Sequence, residues 1–368
     1  MGGGRRRPPR PFRLAIGPPL TASPLPTAAP PPVDDALGRV AERYAVRLTP
    51  HLTAHMDAAD PADPLTRQFQ PTAAELVSTA DERADPIGDG AHSPLPGLVH
   101  RYPDRVLLMP VGVCAAYCRF CFRRAVVGQG DGVLPADQLE AALDYIAARP
   151  QVWEVILTGG DPLVLSPRRL ADLMRRLDAV PHVGVIRLHS RLPIHDPGRV
   201  DAAVVAALSG LRDSAVWLAV HANHAAEFTP DVRAALARLA DAGIPLVGQS
   251  VLLRGVNDSP EALTALFRTM VRNRIKPYYL HHPDLAEGTG HFRVGLDEGR
   301  RLVKGLRGTI SGLCQPTYVL DIPGGHGKVP MTPDHLVPAG EGCVVEDPWG
   351  GLHAYPPDPA PATAGDMS

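Results

Sequence analysis

Three cysteines lie close together in the segment CAAYCRFC, residues 114–121, directly after the apolar run 106–113. Thiolate is the ligand type that selects iron–sulfur clusters, zinc or copper(I). A [4Fe-4S] cube has four irons, so three thiolates leave one iron open to a small molecule. The spacing therefore predicts that Cys114, Cys118 and Cys121 bind a [4Fe-4S] cluster. A structural zinc site is the alternative, but it needs a fourth Cys or His, and this loop supplies none.

The C-x3-C-x2-C spacing resembles the motif of the radical S-adenosylmethionine (SAM) enzymes. This resemblance implies that SAM binds the open iron through its amino and carboxylate groups. It also implies that one-electron reduction splits SAM into methionine and a 5′-deoxyadenosyl radical. An electron donor such as a reductase, a flavodoxin or a ferredoxin is then an expected partner.

Lysine is rare in this chain. Of the 37 basic residues, three are lysines, namely Lys276, Lys304 and Lys328, and the others are arginines. Lys328 follows an apolar run and a glycine-rich loop, residues 324–327. Glycines let the backbone approach a ligand closely, and an amine on such a loop can be a nucleophile or a phosphate contact. The loop is not a P-loop, because Val329 follows the lysine, and an ordinary surface loop is the alternative.

Further motifs resemble the lysine 2,3-aminomutase family over about residues 90–335. In chain order they are LVHRYPDR at residues 98–105, the cysteine motif followed by Arg123-Arg124, the residues 277–285, GHFR at 290–293, and Asp321 seven residues before Lys328. The resemblance implies a second cofactor, pyridoxal 5′-phosphate (PLP), held as a Schiff base by the catalytic Lys328. A substrate amine joined to PLP can migrate between adjacent carbons, because the ring accepts electrons.

The same resemblance assigns roles to other residues of this chain. PLP contacts are expected from Arg101, Tyr102 and Arg105. SAM contacts are expected from Gly159, Gly160, Asp161, His221, Asn223 and Gln249. A free lysine substrate needs an arginine for its carboxylate and acids for its distant ammonium. Arg123 matches the first position and Asp284 and Asp321 match the second, which predicts an isomerase that converts L-lysine to β-lysine.

Several alternatives stay open at this point. The segments CRFCFRR, residues 118–124, and RLPIH, residues 191–195, resemble the shorter branch that makes (R)-β-lysine for elongation factor P. An aminomutase for another amino acid, a radical SAM enzyme with a different outcome and a catalytically silent cluster protein are further candidates. After Lys328 only Cys343 occurs, so the C-terminal zinc cluster of the best-known members, and the homo-oligomer built around it, are not supported. A homo-oligomer of another kind stays possible.

Repeated strand and helix patterns must position these residues. Strands are predicted at 106–113, 152–157, 183–188, 216–220, 245–252 and 277–280, with helices at 135–148, 167–179, 199–211, 230–242 and 260–273. Such alternation is typical of an α/β fold with a parallel sheet, here a partial (βα)6 TIM-like barrel of the radical SAM type. The cysteine loop and the polar segments at 158–161, 189–191, 221–224 and 281–284 follow predicted strands. They should therefore meet at one end of the barrel.

The rest of the sequence predicts the domain boundaries, the compartment and the kinds of partner. We predict a disordered extension at 1–33, for which a targeting segment is the alternative, and a helical region without chemistry at 34–91. The barrel is expected at 92–294, the lysine-bearing region at 295–345, and a Pro-rich tail at 346–368. The chain is 45% hydrophobic with a formal net charge of -2. These values predict a soluble, cytoplasmic protein with a small-molecule substrate and no membrane or nucleic-acid partner.

Overall fold

A curved nine-stranded sheet forms the centre of the protein in a computed structural model that describes residues 35–129, 132–332, 334–339 and 342–355. The strands follow one another in chain order across the sheet. Strands two to eight run parallel, and the first and last strands pair antiparallel at the two edges. The sheet is thus a nearly closed, barrel-like α/β arrangement, as the sequence predicts.

The strands and helices have the following bounds. The main sheet contains β1 Leu98–Tyr102, β2 Arg105–Val111, β3 Glu154–Gly159, β4 Val185–Ser190, β5 Ala215–His221, β6 Leu246–Val251, β7 Ile275–His281, β8 Thr317–Ile322 and β9 Gly327–Pro330. The α-helices are α1 Asp35–Arg43, α2 Pro50–His55, α3 Pro64–Phe69, α4 Ala136–Ala147, α5 Pro167–Asp178, α6 Leu192–His195, α7 Ala202–Ser209, α8 Pro230–Asp241, α9 Pro260–Arg272 and α10 Leu296–Leu306. A separate antiparallel sheet contains β10 Leu336–Ala339, β11 Gly342–Glu346 and β12 Leu352–Tyr355.

Local sequence explains where the outer helices begin. Ser166, Thr229 and Ser259 each accept a hydrogen bond from a backbone N–H in the first turn of α5, α8 and α9. A proline follows each cap, where its missing N–H costs nothing and its fixed φ suits a helix. The apolar faces of these helices pack against the outward side chains of the strands in one continuous core. The capped helices therefore hold the strand ends in fixed positions.

A hydrogen bond links the two edge strands of the sheet, β1 and β9. The backbone N–H of Lys328 in β9 donates to the hydroxyl of Tyr102 in β1 at 2.9 Å. The guanidinium of Arg105 lies over the same Tyr102 ring, 3.8 Å from its centroid. Tyr102 therefore connects the first strand to the hairpin that carries Lys328, and it brings the two ends of the sheet together.

All six predicted strands and five predicted helices are present, with bounds that shift by only a few residues. The sequence did not predict β1, β9 or the placement of β8 as a seventh parallel strand beside β7. The predicted extension at 1–33 lies outside the described residues, and so does the tail beyond residue 355, whereas β12 lies within the segment predicted as a tail. Among the described residues, every helix is too short or too polar to cross a membrane.

Candidate active site

The three cysteines of the loop after β2 line one cavity. Cys114, Cys118 and Cys121 are free thiols, and the cavity is also lined by Tyr44 and Tyr117. Burial raises the pKa of all three thiols, and the nearby Cys118 adds to the effect at Cys121, whose pKa rises to about 11. Buried thiols of this kind ionise when they bind a metal, because the metal charge stabilises the thiolate. Their grouping fits an iron–sulfur cluster.

The arrangement differs from that of a site for a single metal ion. Within the described ranges, no three His, Cys, Asp or Glu side chains are close enough to hold one ion. Thiolates of an iron–sulfur cluster bind different irons, so they stand farther apart than the ligands of one ion.

The Gly159-Gly160-Asp161 turn packs against the segment that leads to Cys114. Gly159 has a φ of +106°, and a Cβ on Gly160 would clash with the backbone of Val113. Glycine is needed at both positions for these two reasons. The buried Asp161 carboxylate accepts hydrogen bonds from the Ser190 hydroxyl and from three backbone N–H groups, those of Leu163, Arg191 and Leu192. Asp161 thus joins the ends of β3 and β4, and the glycines bring the backbone close to the cysteine loop.

The predicted SAM residues on β5 and β6 lie side by side. His221 is the register partner of Gln249 and is also hydrogen-bonded to it. Burial, the neighbouring His281 and the charge of Arg191 lower the pKa of His221 to about 3, so the ring is neutral. The Nε2 atoms of His221 and of the adjacent His189 are buried and find no partner among the described residues. Buried polar atoms without partners are unusual in proteins and point to a ligand.

Asn223 is used differently. Its side-chain amide donates to Gln68 at 3.0 Å, and its side-chain oxygen accepts from the Val251 backbone N–H at 2.8 Å. Asn223 therefore connects the end of β5 to β6 and to helix α3. Within the protein, this leaves one of the two side-chain N–H donors of Asn223 available for the predicted contact with SAM.

Lys328 lies opposite Asp321 in the β8–β9 hairpin. The two residues are register partners, and the ammonium of Lys328 is hydrogen-bonded to the Asp321 carboxylate. The same Nζ donates to Nδ1 of His281 at 3.2 Å. Burial and the charge of Lys328 lower the pKa of His281 to about 4, although Asp321 acts in the opposite direction. A neutral imidazole and a carboxylate thus both accept hydrogen bonds from the amine of Lys328.

Arg101 and Arg123, predicted to contact PLP and the substrate, share one acidic partner. Asp89 accepts a hydrogen bond from Nη2 of Arg101 at 3.1 Å and from Nε and Nη2 of Arg123 at 3.0 and 2.7 Å. Nη1 of Arg123 donates to the Thr158 hydroxyl at 3.2 Å, and Nη1 of Arg101 lies 4.0 Å from the Asp321 carboxylate. Arg101 nevertheless retains a buried donor, Nε, without a partner among the described residues.

The two predicted ammonium-binding acids are in different states. Burial and the neighbouring Asp321 raise the pKa of Asp284 to about 7. Burial also raises the pKa of Asp321, but the neighbouring His281 and the charge of Lys328 outweigh it, so the Asp321 pKa lies well below its usual range. Asp321 has a cation beside it that keeps its carboxylate ionised, whereas the cations near Asp284 do not offset the effects that raise its pKa. A cationic ligand would stabilise the ionised form of Asp284.

The region 34–91 was expected to contribute no chemistry, and its side chains nevertheless form hydrogen bonds with residues of the candidate site. Asp89 reaches both arginines of the site, and Gln68 and Glu75 reach the cysteine loop and its neighbours. Sequence patterns gave little signal, because these residues lie in short helices and turns between prolines. An acid between two glycines, Gly88-Asp89-Gly90, is a sequence feature that could have drawn attention to Asp89.

Comparison with known proteins identifies the class. The radical SAM superfamily matches residues 108–267, and the lysine-2,3-aminomutase family matches residues 303–367. The chain is 41% identical to L-lysine 2,3-aminomutase of Acetoanaerobium sticklandii over 86% of its length and 76% of the relative. It is 40% identical to the L-lysine 2,3-aminomutase of Clostridium subterminale over 85% of this chain and 74% of the relative. A glutamate 2,3-aminomutase of Clostridioides difficile is 33% identical over 85% and 73%, respectively.

These matches show that the chain is a radical SAM enzyme of the isomerase type. More narrowly, it belongs to the lysine 2,3-aminomutase family. The family implies a [4Fe-4S] cluster, SAM and PLP. The structure fits all three groups, because it offers thiols in one cavity, unpartnered imidazole nitrogens and an amine beside a free arginine donor.

Proposed function

We propose that this aminomutase acts on L-lysine and moves its amino group from carbon 2 to carbon 3. The observation that carries this proposal is the pair of acids, Asp284 and Asp321, within electrostatic reach of each other and of Lys328. Even with Lys328 and Arg123 nearby, burial and the neighbouring Asp321 raise the pKa of Asp284 to about 7, so the pair of carboxylates favours a further positive charge. The distant ammonium of a lysine substrate supplies that charge.

Arg123 binds the other end of the substrate in this proposal. Asp89 fixes the Nε–Nη2 edge of its guanidinium, and Thr158 holds Nη1. An arginine with a fixed orientation can form a bidentate pair with a carboxylate without first losing conformational freedom. The site is then positive at Arg123 and negative at Asp284 and Asp321, which matches the charge pattern of lysine.

The cofactors would be held by separate sets of residues. Cys114, Cys118 and Cys121 would bind the cluster, His221 and Gln249 would contact SAM beside the glycine turn, and Lys328 with Arg101, Tyr102 and Arg105 would hold PLP. When bound, the cluster and SAM supply hydrogen-atom abstraction, and PLP supplies an electron-accepting ring. The amine of Lys328 must lose a proton before it can bond to carbon, and until then Nδ1 of His281 and the Asp321 carboxylate hold it in place by hydrogen bonds.

A glutamate substrate fits this cavity poorly. Its second carboxylate would lie beside Asp284 and Asp321, and like charges at short range repel each other by several kcal/mol. The glutamate 2,3-aminomutase among the relatives therefore does not decide the substrate. The resemblance of residues 118–124 and 191–195 to the (R)-β-lysine branch concerns the configuration of the product and leaves the substrate unchanged.

The test is an anaerobic assay of the reconstituted enzyme with SAM and dithionite. L-lysine, L-ornithine and L-glutamate are supplied separately, and the amino acids are separated by chiral chromatography. We expect β-lysine from lysine at a rate at least tenfold above product formation from the other two substrates. The configuration of that product separates the two lysine branches. Preferential turnover of glutamate, or no product from lysine, would overturn the proposal.

A further inference from the structure

Arg191 contacts a cysteine of the cluster loop from a different part of the fold. It is the first residue after β4, and its Nη1 donates to the sulfur of Cys118 at 2.9 Å. The backbone N–H groups of Asp161 and Arg123 act to lower the pKa of Cys114 and Cys121, against the larger effect of burial. Among the described residues, a charged side chain donates a hydrogen bond to the sulfur of Cys118.

The position of this guanidinium is fixed on several sides. Its Nη2 donates to the carboxylate of Glu227 and to the side-chain oxygen of Gln68, the latter at 3.1 Å. The rings of Phe69 and Phe120 lie 5.1 and 5.3 Å from its central carbon. Arg191 is therefore held in place by strand ends, a helix of the N-terminal region and the cysteine loop itself.

Glu227 is completely buried and is equally well bonded. Its carboxylate accepts from the backbone N–H of Asn223 at 2.7 Å and of His224 at 2.8 Å, besides the bond with Arg191. A buried ion pair of this kind stays formed, because separating its partners would leave an unpaired charge out of water. The guanidinium of Arg191 therefore lies next to the sulfur of Cys118 as a fixed positive charge. The carboxylate of Glu227 lies behind it as a fixed negative charge.

We propose that Arg191 is a positioning residue that sets the reduction potential of the iron–sulfur cluster through Cys118, and that Glu227 opposes its effect. Reduction adds one negative charge to the cluster, and a charged donor on a ligand sulfur stabilises the reduced state. The carboxylate of Glu227 offsets part of that positive charge, since Coulomb energies in a buried site decay slowly. The inference depends on the cluster that the family implies and is independent of the substrate.

The experiment is a redox titration of reconstituted protein without lysine, followed by electron paramagnetic resonance. We expect Arg191→Gln to shift the midpoint to a more negative value. At the wild-type midpoint, the ratio of reduced to oxidised cluster should fall about tenfold, which corresponds to 59 mV for one electron. Glu227→Gln should shift the midpoint in the opposite direction. Arg191→Lys keeps the charge and should remain close to wild type.

Arg176→Gln is the matched control, because Arg176 pairs with Glu140 on the surface and should leave the potential unchanged. Iron and sulfide analysis shows which variants are fully loaded. If Arg191→Gln fails to hold a cluster, the positive shift of the midpoint in Glu227→Gln relative to wild type remains as the test. An unchanged potential in loaded Arg191→Gln, or no positive shift in loaded Glu227→Gln, would overturn the inference. Because lysine is absent, neither result bears on the proposed substrate.

Discussion

The cysteine loop and the β8–β9 hairpin are both part of the active site, but their charges are balanced in opposite ways. Beside the loop, the buried carboxylate of Glu75 binds both Arg119 and Arg124, and all three side chains are at most 5% exposed. At the hairpin, Asp284 has a pKa raised to about 7, and Nε of Arg101 has no partner among the described residues. The charged side chains beside the loop are therefore paired within the protein, whereas those at the hairpin need a ligand to pair with. This difference suits a permanent cluster at one end and an exchanging substrate at the other.

The largest effect should come from removing the amine at the hairpin. Lys328→Ala deletes the amine that we propose holds PLP, so we expect loss of the PLP absorbance band and roughly a thousandfold loss of aminomutase activity. The cluster should remain, because its ligands lie on the other region. Absorbance spectra and iron analysis of the purified variant check both points. A variant that keeps both its PLP band and its turnover would contradict the role of Lys328.

The second effect should appear at the loop and concern stability. Glu75→Gln leaves two buried arginines without their carboxylate, which costs about 3–5 kcal/mol. The free energy of unfolding, measured by urea denaturation under reducing conditions, should fall by that amount. Glu140→Gln is the control, since Glu140 forms a surface pair with Arg176 and its loss should leave the denaturation midpoint unchanged. Equal midpoints for Glu75→Gln and wild type would show that the buried charges do not support the loop.

The third effect should separate substrate turnover from SAM cleavage. Asp321→Asn removes a charge that pairs with Lys328 and, in our proposal, with the substrate ammonium. Loss of one partner of a buried charge pair costs a few kcal/mol, so lysine turnover should fall about a hundredfold. Cleavage of SAM to 5′-deoxyadenosine should fall much less, because it occurs at the cluster. Equal losses in the two activities would remove Asp321 from the ammonium site.

The smallest effect is a pH dependence at the hairpin. Because burial and Asp321 raise the pKa of Asp284 to about 7, this carboxyl is protonated below that pH and cannot pair with an ammonium. The value of kcat/KM for lysine should therefore rise about tenfold per pH unit below 7 and level off above it. Asp284→Asn should lack this limb of the profile. A wild-type profile without a transition near pH 7 would contradict the assignment.

The parallel strands β2 to β7 were predictable because each is a short apolar run that alternates along the chain with helical patterns. Ser166-Pro167 and Thr229-Pro230 are start signals for two of these helices, and the helices begin there. The edge strands gave no such signal. β1 is half polar, and β9 is four residues long and contains Pro330, so their pairing depends on tertiary contacts such as the Tyr102–Lys328 hydrogen bond.

The candidate site was predictable where spacing or family resemblance carries it, as for the cysteines, Lys328 and Asp321. The partners that orient these residues were not. Asp89 lies 34 residues from Arg123 in the chain, and Gln68 lies 123 residues from Arg191. Contacts over such distances leave no periodic pattern in a single sequence. The engagement of Asp161 and Asn223 in bonds within the protein was equally invisible without coordinates.

The most direct test of the central claim follows one nitrogen atom. L-lysine carrying 15N at its α-amine and 13C at carbons 2 and 3 is incubated anaerobically with the reconstituted enzyme, SAM and dithionite. NMR spectroscopy then shows which carbon is coupled to the nitrogen. Our account predicts that the one-bond coupling moves from carbon 2 to carbon 3 as β-lysine accumulates. Coupling that stays at carbon 2 while SAM is consumed would contradict it.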